Sequence, residues 1–399
     1  MDVLVISHLY PSEGNQANGP FVHRQTRELR KRGHNIEVVS PTPWVPSLPG
    51  LPQRWRSYRN RPNHAQIDGL RVQYPEYLAV PGVQTLPIKS LFAGRAVKQT
   101  SERLITDERF SPDLIHSHVV LPGGVAGLML SRKYEVPLVT TIHGADFYKY
   151  SNHLLSRLAI STVIKNSEAV LLNSKNLYEV GNEYYDLDEI YTKIIHNGIS
   201  IREIDNAKVS QKTEDESEFV VSSLGFLIER KGHKSVMRAI EGLSPKVRPN
   251  YIVIGEGPLR EELENYANNL GIREWVEFTG YVSDHQDVFR RLWKSDMMIL
   301  PSTDEAFGVA HIEAMACRCI VIGCRREGPE SFIENGENGF LVDPDDYEKI
   351  REIILSARSG EANGEEIVEK ARKTVERHFT WEQKAMQIDK VYRRVVREY

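Results

Sequence analysis

The sequence has few cysteines, and they lie close together. All three thiols fall within residues 317–324, at Cys317, Cys319 and Cys324. Because no fourth cysteine is present, the composition excludes a metal site with four thiolate ligands and a pair of disulfides. We therefore expect buried or half-buried thiols in a reducing compartment.

Long hydrophobic runs are also missing. The most apolar long stretch, residues 119–130, is interrupted by Pro122, Gly123 and Gly124 and falls short of the roughly 20 residues that a membrane-spanning helix needs. The chain starts with Met1 and Asp2, an acid where a secretion signal carries lysines. We expect a cytoplasmic protein without a transmembrane helix, and leave open its association with the cytoplasmic face of a membrane.

Neither sign of charge is in strong excess. The 51 basic residues stand against 55 acidic ones, a net charge of −4, so no overall attraction to nucleic acid is expected and we predict no nucleic-acid partner. The chain of 399 residues, 40% of them hydrophobic, exceeds what one hydrophobic core usually organises. Two domains are therefore predicted.

Short β-branched runs alternate with longer helical patterns, which is typical of βαβ units and a mainly parallel sheet. Predicted strands of a first series lie at residues 2–7, 36–40, 113–116, 137–142, 169–173 and 193–196. Those of a second series lie at 219–224, 251–254, 276–278, 297–300, 319–323 and 340–342. The class is α/β with two doubly wound sheets, and ligands are expected beyond the carboxyl ends of the strands, in an interdomain crevice.

This pattern sets the predicted domain boundaries. Residues 1–198 form an N-terminal Rossmann-like domain, 199–218 a polar linker, and 219–380 a C-terminal Rossmann-like domain. Apolar residues at helical spacing predict a final helix over 381–399, which could pack back on the N-terminal domain or cap the other one.

Two carboxylates flank a predicted helix start in residues 301–316. Glu305 precedes the helix that begins near Gly308, and Glu313 lies in its second turn beside Ile312 and Met315. The free N–H groups of a first helical turn bind phosphates or hydroxyls. A carboxylate on an apolar face needs polar ligands, such as two ribose hydroxyls. The alternative is that both acids are ordinary surface carboxylates.

Cations and histidines follow other predicted strands. Arg230 and Lys231 come after the strand at 219–224, where they could neutralise a diphosphate, or be a solvated pair in a loop. His143 follows the strand at 137–142, where it could bind a sugar hydroxyl, or be a turn histidine. His116 and His118 share one face of a strand end but lack a third ligand for zinc.

Many short motifs along nearly the whole chain resemble those of the retaining glycosyltransferases of family 4. They are the Glu305 to Glu313 element with Ala314-Met315-Ala316, Ser7-His8-Leu9-Tyr10-Pro11 with Gly19, Arg32-Gly33-His34, Asp113-Leu114-Ile115-His116-Ser117-His118, Thr141-Ile142-His143-Gly144-Ala145-Asp146, Asn197-Gly198, Gly225 with Arg230-Lys231-Gly232, Gly255-Glu256-Gly257-Pro258, Gly280-Tyr281-Val282 and Asn338-Gly339-Phe340-Leu341-Val342. Any single motif is weak, but their order makes a chance likeness improbable.

The resemblance implies the GT-B fold, with two facing Rossmann-like domains, parallel sheets and an interdomain cleft. It implies that the N-terminal domain lies on the acceptor side and that the C-terminal domain binds the nucleotide sugar. It implies transfer of a hexose-type sugar from a UDP or GDP sugar to a saccharide or lipid-linked acceptor of polysaccharide biosynthesis, with retention at the anomeric carbon. It calls for no cofactor and no metal. A sugar-nucleotide epimerase and a catalytically silent partner subunit are the alternatives.

Residue roles follow from the resemblance alone. Arg230 and Lys231 would bind the donor diphosphate, Glu305 the transferred sugar and Glu313 the ribose. His143 would lie near the reacting sugar. The residues implied to surround the rest of the donor are Gly19, Gly225, Tyr281, Val282, Phe307, Gly308 and Val309.

Two features depart from the family pattern or add to it. Arg318 stands where the family usually has glycine, so a left-handed backbone there would be strained. The stretch 44–61 interleaves Arg54, Arg56, Arg59 and Arg61 with Trp44, Trp55 and Tyr58. It predicts peripheral contact with an anionic membrane or a lipid diphosphate, or a solvated loop.

Overall fold

The computed structural model describes residues 1–13, 15–16, 18–46, 58–59, 61–79, 82, 85–107, 110–208 and 218–399. These residues form two compact units. Unit 1 comprises Met1–Gly198 together with Trp381–Tyr399, and unit 2 comprises Ile199–Thr380.

Unit 1 is built on an eight-stranded sheet of order β10-β9-β8-β7-β1-β2-β5-β4. All neighbours pair in parallel except β4 with β5. The strands are β1 Asp2–Ser7, β2 Asn35–Val39, β4 His64–Ile67, β5 Leu70–Gln73, β7 Leu114–His118, β8 Leu138–Ile142, β9 Ala169–Leu172 and β10 Thr192–Ile194. Two short strands, β3 Thr42–Pro43 and β6 Glu76–Tyr77, pair separately. Strand order reverses at β1, which is where doubly wound sheets bind ligands.

Helices cover both faces of this sheet. They are α1 Pro20–Lys31, α2 Leu86–Asp107, α3 Val125–Tyr134, α4 Leu154–Lys165, α5 Lys175–Tyr185 and α13 Trp381–Glu398. Alternate side chains of β1 point to opposite faces, so Leu4 and Ile6 join one core while Val3 and Val5 join the other. Burial on both faces explains why these strands are continuous apolar runs.

The helix α13 packs on unit 1. It contacts α1, and its residues Ile388 and Tyr392 belong to the same core as Val3 and Val5. Asp389 of α13 accepts a hydrogen bond from Nε2 of His34 at 3.0 Å. The apolar spacing at 381–399 therefore reflects burial against unit 1.

Unit 2 contains a six-stranded, fully parallel sheet of order β13-β12-β11-β14-β15-β16. The strands are β11 Val220–Leu224, β12 Asn250–Ile254, β13 Val276–Gly280, β14 Met297–Ile299, β15 Ile320–Cys324 and β16 Phe340–Val342. The helices are α6 Ile201–Asn206, α7 His233–Glu241, α8 Arg260–Asn269, α9 His285–Trp293, α10 Val309–Ala316, α11 Tyr347–Ser359 and α12 Gly364–His378. The predicted strands of both series are confirmed to within about two residues.

The predicted linker at 199–218 is wrong over its first part. Residues 201–206 form α6, whose Ile204 is fully buried, and the carbonyl of Ile204 accepts a hydrogen bond from Trp293 Nε1 at 2.9 Å. Asp205 forms an ion pair with Arg372 at 2.9 Å. Residues 209–217 lie outside the described part of the chain.

Among the described residues, no helix is long and apolar enough to cross a bilayer.

Candidate active site

The loop between β14 and α10 in unit 2 carries the two predicted carboxylates. Gly308 precedes the first residue of α10 and has a φ of +95°. A Cβ there would lie 2.8 Å from Nδ1 of His311 and 2.9 Å from the ring of Pro329, so only glycine fits. The glycine therefore lets the loop turn sharply into α10, and its carbonyl accepts the N–H group of His311 at 3.0 Å.

Lys231 and Glu305 form a close ion pair. Nζ of Lys231 lies 2.5 Å from Oε2 of Glu305, and both side chains are mostly buried, at 12% and 17% exposure. Burial acts to raise the pKa of Glu305, but the Lys231 ammonium outweighs burial, so the pKa lies below its usual value. The carboxylate is therefore ionised at neutral pH and held against a cation.

The loops after β11 and β14, which are adjacent strands, are tied together by further contacts. Arg230 donates from Nη1 to the carbonyl of Asp304 at 3.0 Å, and the N–H of Thr303 donates to the carbonyl of Arg230 at 2.8 Å. Gly232, with φ +70°, lies so close to Pro301 that a Cβ would meet its carbonyl oxygen at 2.8 Å. These contacts bring Arg230, Lys231 and Glu305 together at the carboxyl ends of two adjacent strands.

Gly225 borders the same loop. A Cβ built on the neighbouring Gly255 would lie 1.9 Å from the carbonyl oxygen of Gly225, so two backbone segments cross in close contact. The stem of Lys231 passes Gly225, with its Cε 3.6 Å from where a Cβ on that glycine would be. Glycine at 255 is therefore needed for the close approach of the two backbone segments, whereas a Cβ on Gly225 would make only an ordinary contact with the lysine stem.

Glu313 lies deeper on α10 and is 5% exposed. Its Oε1 accepts a hydrogen bond from Nε2 of His285, the first residue of α9, at 2.9 Å. His285 was not predicted as a site residue, because the contact joins two helices that are distant in the sequence. Glu313 is thus a buried carboxylate with a polar side-chain partner, which agrees with the need for polar partners inferred from its apolar neighbours in the sequence.

The other predicted donor-side residues differ in exposure. Tyr281 follows β13 and is 71% exposed, and Val282 is half-buried. The ring of Phe307 is buried against Phe332 and Phe379, so this residue offers only its backbone to a ligand. Val309 is the first residue of α10.

His311 is a second residue that the sequence did not single out, although it lies inside the element from Glu305 to Glu313. It is fully buried, and its Nε2 donates to the carbonyl of Leu300 at 3.1 Å. Burial lowers the pKa of His311 to about 4, so the ring is neutral at neutral pH. Its Nδ1 has no hydrogen-bond partner among the described residues.

In unit 1, three histidines gather at the carboxyl ends of β7 and β8. Nδ1 of His118 lies 3.0 Å from Nε2 of His143, and the rings are stacked with centroids 5.3 Å apart. His116 bonds the hydroxyl of Tyr392 at 2.5 Å and Oγ1 of Thr141 at 2.7 Å. Burial lowers the pKa of His116 and of His143 to about 3.

Because both rings are neutral, one ring of the His118 and His143 pair donates the hydrogen bond and the other accepts it. Each neutral imidazole carries one proton, so a single N–H joins the two rings. Nδ1 of His143 then remains without a partner among the described residues. If His118 donates to His143, this Nδ1 carries the proton and is a donor; if His118 accepts from His143, this Nδ1 is an acceptor. This nitrogen is therefore a buried polar atom of His143 whose hydrogen-bonding capacity is unused among the described residues.

Asp146 fixes the backbone beside this cluster. Its buried carboxylate accepts the N–H groups of Val120 at 3.2 Å and Leu121 at 3.3 Å, in the turn that follows β7. Burial raises the pKa of Asp146 to about 7. Asp146 therefore holds the segments after β7 and β8 together.

Gly19 immediately precedes α1 and has a φ of +67°. A Cβ there would lie 2.4 Å from the carbonyl oxygen of Leu9, so the glycine allows the loop after β1 to pack against the start of the helix. This is a backbone role at the carboxyl end of the strand where sheet order reverses.

The three cysteines are free and buried, as expected. Across the part of the chain that the structure describes, no three His, Cys, Asp or Glu side chains are grouped so as to hold a metal ion.

Arg318 has a left-handed backbone, with φ +63°, and its guanidinium pairs with Glu365 at 2.6 Å and Glu369 at 2.7 Å. The residue that replaces glycine is thus strained and held by two ion pairs.

The predicted membrane contact through 44–61 is wrong for Arg61. This side chain is buried, its guanidinium donates to Ser12 at 3.1 Å and Thr42 at 3.0 Å, and it lies over the ring of Tyr74. Residues 47–57 and 60 of that stretch, including Arg54, Trp55 and Arg56, lie outside the described residues. Arg59 and Trp44 are exposed.

Comparison with protein families matches two successive parts of the chain. The Glycosyltransferase Family 4 model matches residues 19–203, and the model of Glycosyl transferases group 1 matches residues 205–374. Together they span most of both units.

Two curated relatives cover almost the whole chain. TuaC of Bacillus subtilis (strain 168), a glycosyltransferase whose name places it in teichuronic acid biosynthesis, is 26% identical over 95% of each chain. N-acetyl-alpha-D-glucosaminyl L-malate synthase of Bacillus anthracis is 25% identical over 98% of this chain and 96% of its own.

Solved structures share the architecture. Sucrose-phosphate synthase from Thermosynechococcus elongatus superposes over 100% of both chains with a TM-score of 0.77 and 18% identity. Anabaena Alr3699/HepE in complex with UDP covers 98% of this chain and 99% of its own, with a TM-score of 0.70 and 18% identity. With the motifs and the two matched models, these likenesses lead to one assignment: the chain belongs to glycosyltransferase family 4 and has the GT-B fold.

Proposed function

We propose that this glycosyltransferase moves a hexose-type sugar from a nucleoside-diphosphate sugar to a saccharide or lipid-linked acceptor, with retention of the anomeric configuration. The observation that carries the proposal is the ion pair of Lys231 with Glu305, beside Arg230 and the first turn of α10. It combines cations for a diphosphate with a carboxylate for sugar hydroxyls in one loop cluster.

On the donor, Arg230 and Lys231 bind the diphosphate, and binding draws the Lys231 ammonium partly away from Glu305. The freed carboxylate oxygen then accepts from hydroxyls of the transferred sugar. The amides of residues 307–309 contribute N–H groups at the start of α10. Glu313, oriented by His285, accepts from the ribose, and the base lies near Tyr281 and Val282.

Unit 1 supplies His143 for the reacting sugar through its unpartnered Nδ1. Gly19 keeps a side chain away from the loop that begins α1, so its backbone can approach phosphate oxygens. A neutral imidazole suits this role, since it can hydrogen-bond a hydroxyl without attracting the anionic diphosphate.

In the proposed reaction, the bond from the anomeric carbon to the diphosphate oxygen breaks, and a bond to the acceptor oxygen forms on the same face. The acceptor proton passes to the departing phosphate oxygen, so no protein base is required. Arg230 and Lys231 stabilise the negative charge that develops on the leaving group, the part that a divalent cation has in other transferases.

The structural relatives support a uridine nucleotide as the first donor to test. HepE is described in complexes with UDP, with UDP and glucose, and with UDP-glucose. We propose UDP sugars ahead of GDP sugars, and an acceptor of polysaccharide biosynthesis in view of the name of TuaC.

A panel of UDP and GDP sugars, read by thermal stabilisation, tests the donor, because a ligand that binds only the folded state raises Tm. The stabilising donor is then incubated alone and with acceptor extract. Transfer only in the presence of acceptor supports the proposal. Free sugar and UDP without acceptor would indicate an epimerase, and no donor binding at all would indicate a silent subunit. The anomeric configuration of the product, read by NMR coupling constants, tests retention.

A further inference from the structure

A cavity of about 410 Å³ lies in unit 1 between the end of β5 and the helix α2. One wall is the chain at residues 73–76, which joins β5 to β6, with Asn63 beside it. The other wall is the second half of α2, which contributes Thr100, Arg103 and Leu104. This volume lies within the range of about 300–1,000 Å³ that is usual for small-molecule sites. We call this space the β5–α2 cavity.

Tyr74 holds the wall after β5 in place. Its N–H donates to the carbonyl of Asn63 at 2.8 Å, and its hydroxyl donates to the carbonyl of Pro11 at 2.5 Å. The buried guanidinium of Arg61 lies over its ring, 5.1 Å from the centroid. Because a preformed site loses less conformational freedom when a ligand binds, these contacts favour binding.

The helix wall is set by the spacing of residues in α2. Val97, Ser101 and Leu104 are spaced i, i+4, i+7 and are buried at 0–3% exposure. Thr100 and Arg103 lie on the neighbouring stripe, where they line the cavity. The core contacts of α2 therefore fix the direction of its two polar groups.

Five polar side chains that line the cavity form no hydrogen bond or ion pair within the described part of the chain. They are Asn63, Gln73, Glu76, Thr100 and Arg103. Glu76 and Arg103 have opposite charges and still do not pair with each other. The cavity thus gathers donors and acceptors whose capacity is unused.

Neighbouring groups of α2 outside the cavity are paired. The hydroxyls of Ser90 and Thr106 donate to carbonyls one turn back in the helix, at 2.7 Å and 2.8 Å, as helical hydroxyls commonly do. Thr100 makes no such bond among the described residues. Glu102 forms an ion pair with Lys133. The unused groups are therefore concentrated at the cavity.

The chemistry of these groups matches sugar hydroxyls. We propose that the β5–α2 cavity binds one sugar unit of a saccharide chain. The amides of Asn63 and Gln73 and the hydroxyl of Thr100 both donate and accept, Arg103 donates, and Glu76 accepts. A sugar hydroxyl also donates and accepts, so neighbouring hydroxyls on one ring can satisfy this mixed set.

Other ligands fit this lining less well. A phosphate would meet the Glu76 carboxylate beside Arg103, which is the only cation among the described lining residues. None of these described residues lies in the first turn of a helix of eight or more residues, where anions commonly bind. An acyl chain would cover five polar side chains without giving them partners. Pro75 and Leu104 add apolar surface, which suits the C–H face of a sugar ring.

The β5–α2 cavity is distant from the histidine cluster along the same sheet. Gln73 ends β5 and His118 ends β7, and the strands β2 and β1 lie between them, all in parallel. Three strand spacings amount to about 14 Å. Resting on the proposed function, this separation favours an acceptor of several sugar units, with its end at His143 and an inner unit in the cavity.

Binding of saccharides to the full-length protein tests the cavity without using activity. The probes are immobilised linear hexasaccharides of glucose, of galactose and of N-acetylglucosamine, together with the three monosaccharides. Surface plasmon resonance is recorded without nucleotide. We expect at least one hexasaccharide to bind saturably and one-to-one, with little dependence on salt because the ligand is uncharged.

Two variants act on different parts of the lining. Thr100→Trp fills the cavity and should abolish binding. Glu76→Ala with Arg103→Ala should raise Kd about tenfold, since it removes hydrogen bonds to hydroxyls. The matched controls Gln99→Trp and Arg95→Ala make the same changes at exposed positions of α2 that do not line the cavity, and should bind like the parent. Unchanged Tm values show that the variants are folded.

The proposal is overturned if the parent binds none of the hexasaccharides, or if Thr100→Trp binds as tightly as Gln99→Trp. Binding of inorganic pyrophosphate that depends on Arg103, without saccharide binding, would instead assign the cavity to an anion.

Donor-induced thermal stabilisation is measured on the same variants. If it is retained in the parent while no saccharide binds, the cavity proposal alone has failed. If the parent binds saccharide but no donor, the proposed function alone has failed.

Discussion

Nδ1 of His118 lies 3.0 Å from Nε2 of His143, and this contact orients the ring that the strand β8 delivers to the edge of its sheet. His118 is the last residue of β7 and is fully buried, so it does not itself face solvent. Its effect on a substrate passes through the ring of His143. His118 is therefore a positioning residue.

His118→Ala should lower kcat about tenfold with little change in the KM for donor, because His143 loses its fixed ring orientation but stays in place. His118→Asn keeps a polar atom near the position of Nδ1 and should restore most of the rate. Steady-state kinetics at several pH values provide the readout. If the alanine and asparagine variants are equally impaired and both have a lower Tm, the residue serves only the core.

Replacing Lys231 or Glu305 with alanine should lower turnover at least about 100-fold while the protein stays folded, since each side chain acts on charge or hydroxyls in the transition state. Lys231→Ala should also reduce stability, because it leaves a largely buried carboxylate without its cation. The measurements are initial rates and thermal melting.

Lys234→Ala is the matched control for Lys231. Lys234 lies three residues further on and pairs with Glu229 and Glu262 near the surface. This variant should keep its rate within about threefold of the parent. If Lys231→Ala were as active as Lys234→Ala, the assignment of Lys231 to the active site would be wrong.

Activity should persist in an excess of chelator, because the cations of Arg230 and Lys231 take the part of a divalent ion at the diphosphate. Rates are compared before and after addition of chelator, and again after magnesium or manganese. Loss with chelator that a metal ion restores would point to a metal-dependent reaction.

The protein should lose stability as the pH falls from about 7 to about 5. Six buried or half-buried histidines have folded-state pKa values lowered by burial to about 3 or about 4, and they are His8, His116, His143, His196, His233 and His311. Unfolding lets them bind protons near their ordinary pKa of 6.5, so their stabilising effect is complete above that value and is lost progressively below it.

Melting curves across this pH range measure the effect. His116→Gln removes one of the titrating groups, so its Tm should fall less steeply with pH than that of the parent. A Tm that is flat over this range, or that rises as the pH falls, would contradict neutral buried imidazoles.

At position 318, glycine should be more stable than alanine by about 1 kcal/mol, because the backbone is left-handed and only glycine accepts φ near +63° without strain. Both variants lose the same ion pairs with Glu365 and Glu369, so their comparison isolates the backbone. Urea denaturation midpoints provide the measurement. Equal midpoints would mean that the residue adopts another conformation in solution.

The sequence predicted the strands well because most are buried on both faces, as the all-buried β8 and β15 show. The strand pattern placed Arg230, Lys231 and Glu305 after strands of one sheet, and they lie close together because the carboxyl ends of parallel strands share one edge. It did not find His285, whose bond to Glu313 joins two helices, nor α6, a short helix in a polar stretch. The prediction of membrane contact was wrong for Arg61 because the spacing of the arginines does not reveal which guanidinium is buried.

The chain leaves unit 1 after Gly198 and returns to it at Trp381. These two points are close in space: the N–H of Ile199 donates to the carbonyl of Phe379 at 2.8 Å. Unit 2 is thus an insertion within unit 1, and α13 comes after it. On the ribosome, unit 2 can complete its sheet as soon as it emerges, whereas unit 1 must wait for α13 to cover Val3 and Val5. During that interval one face of the first-made sheet is incompletely covered, so the domain synthesised first finishes folding last.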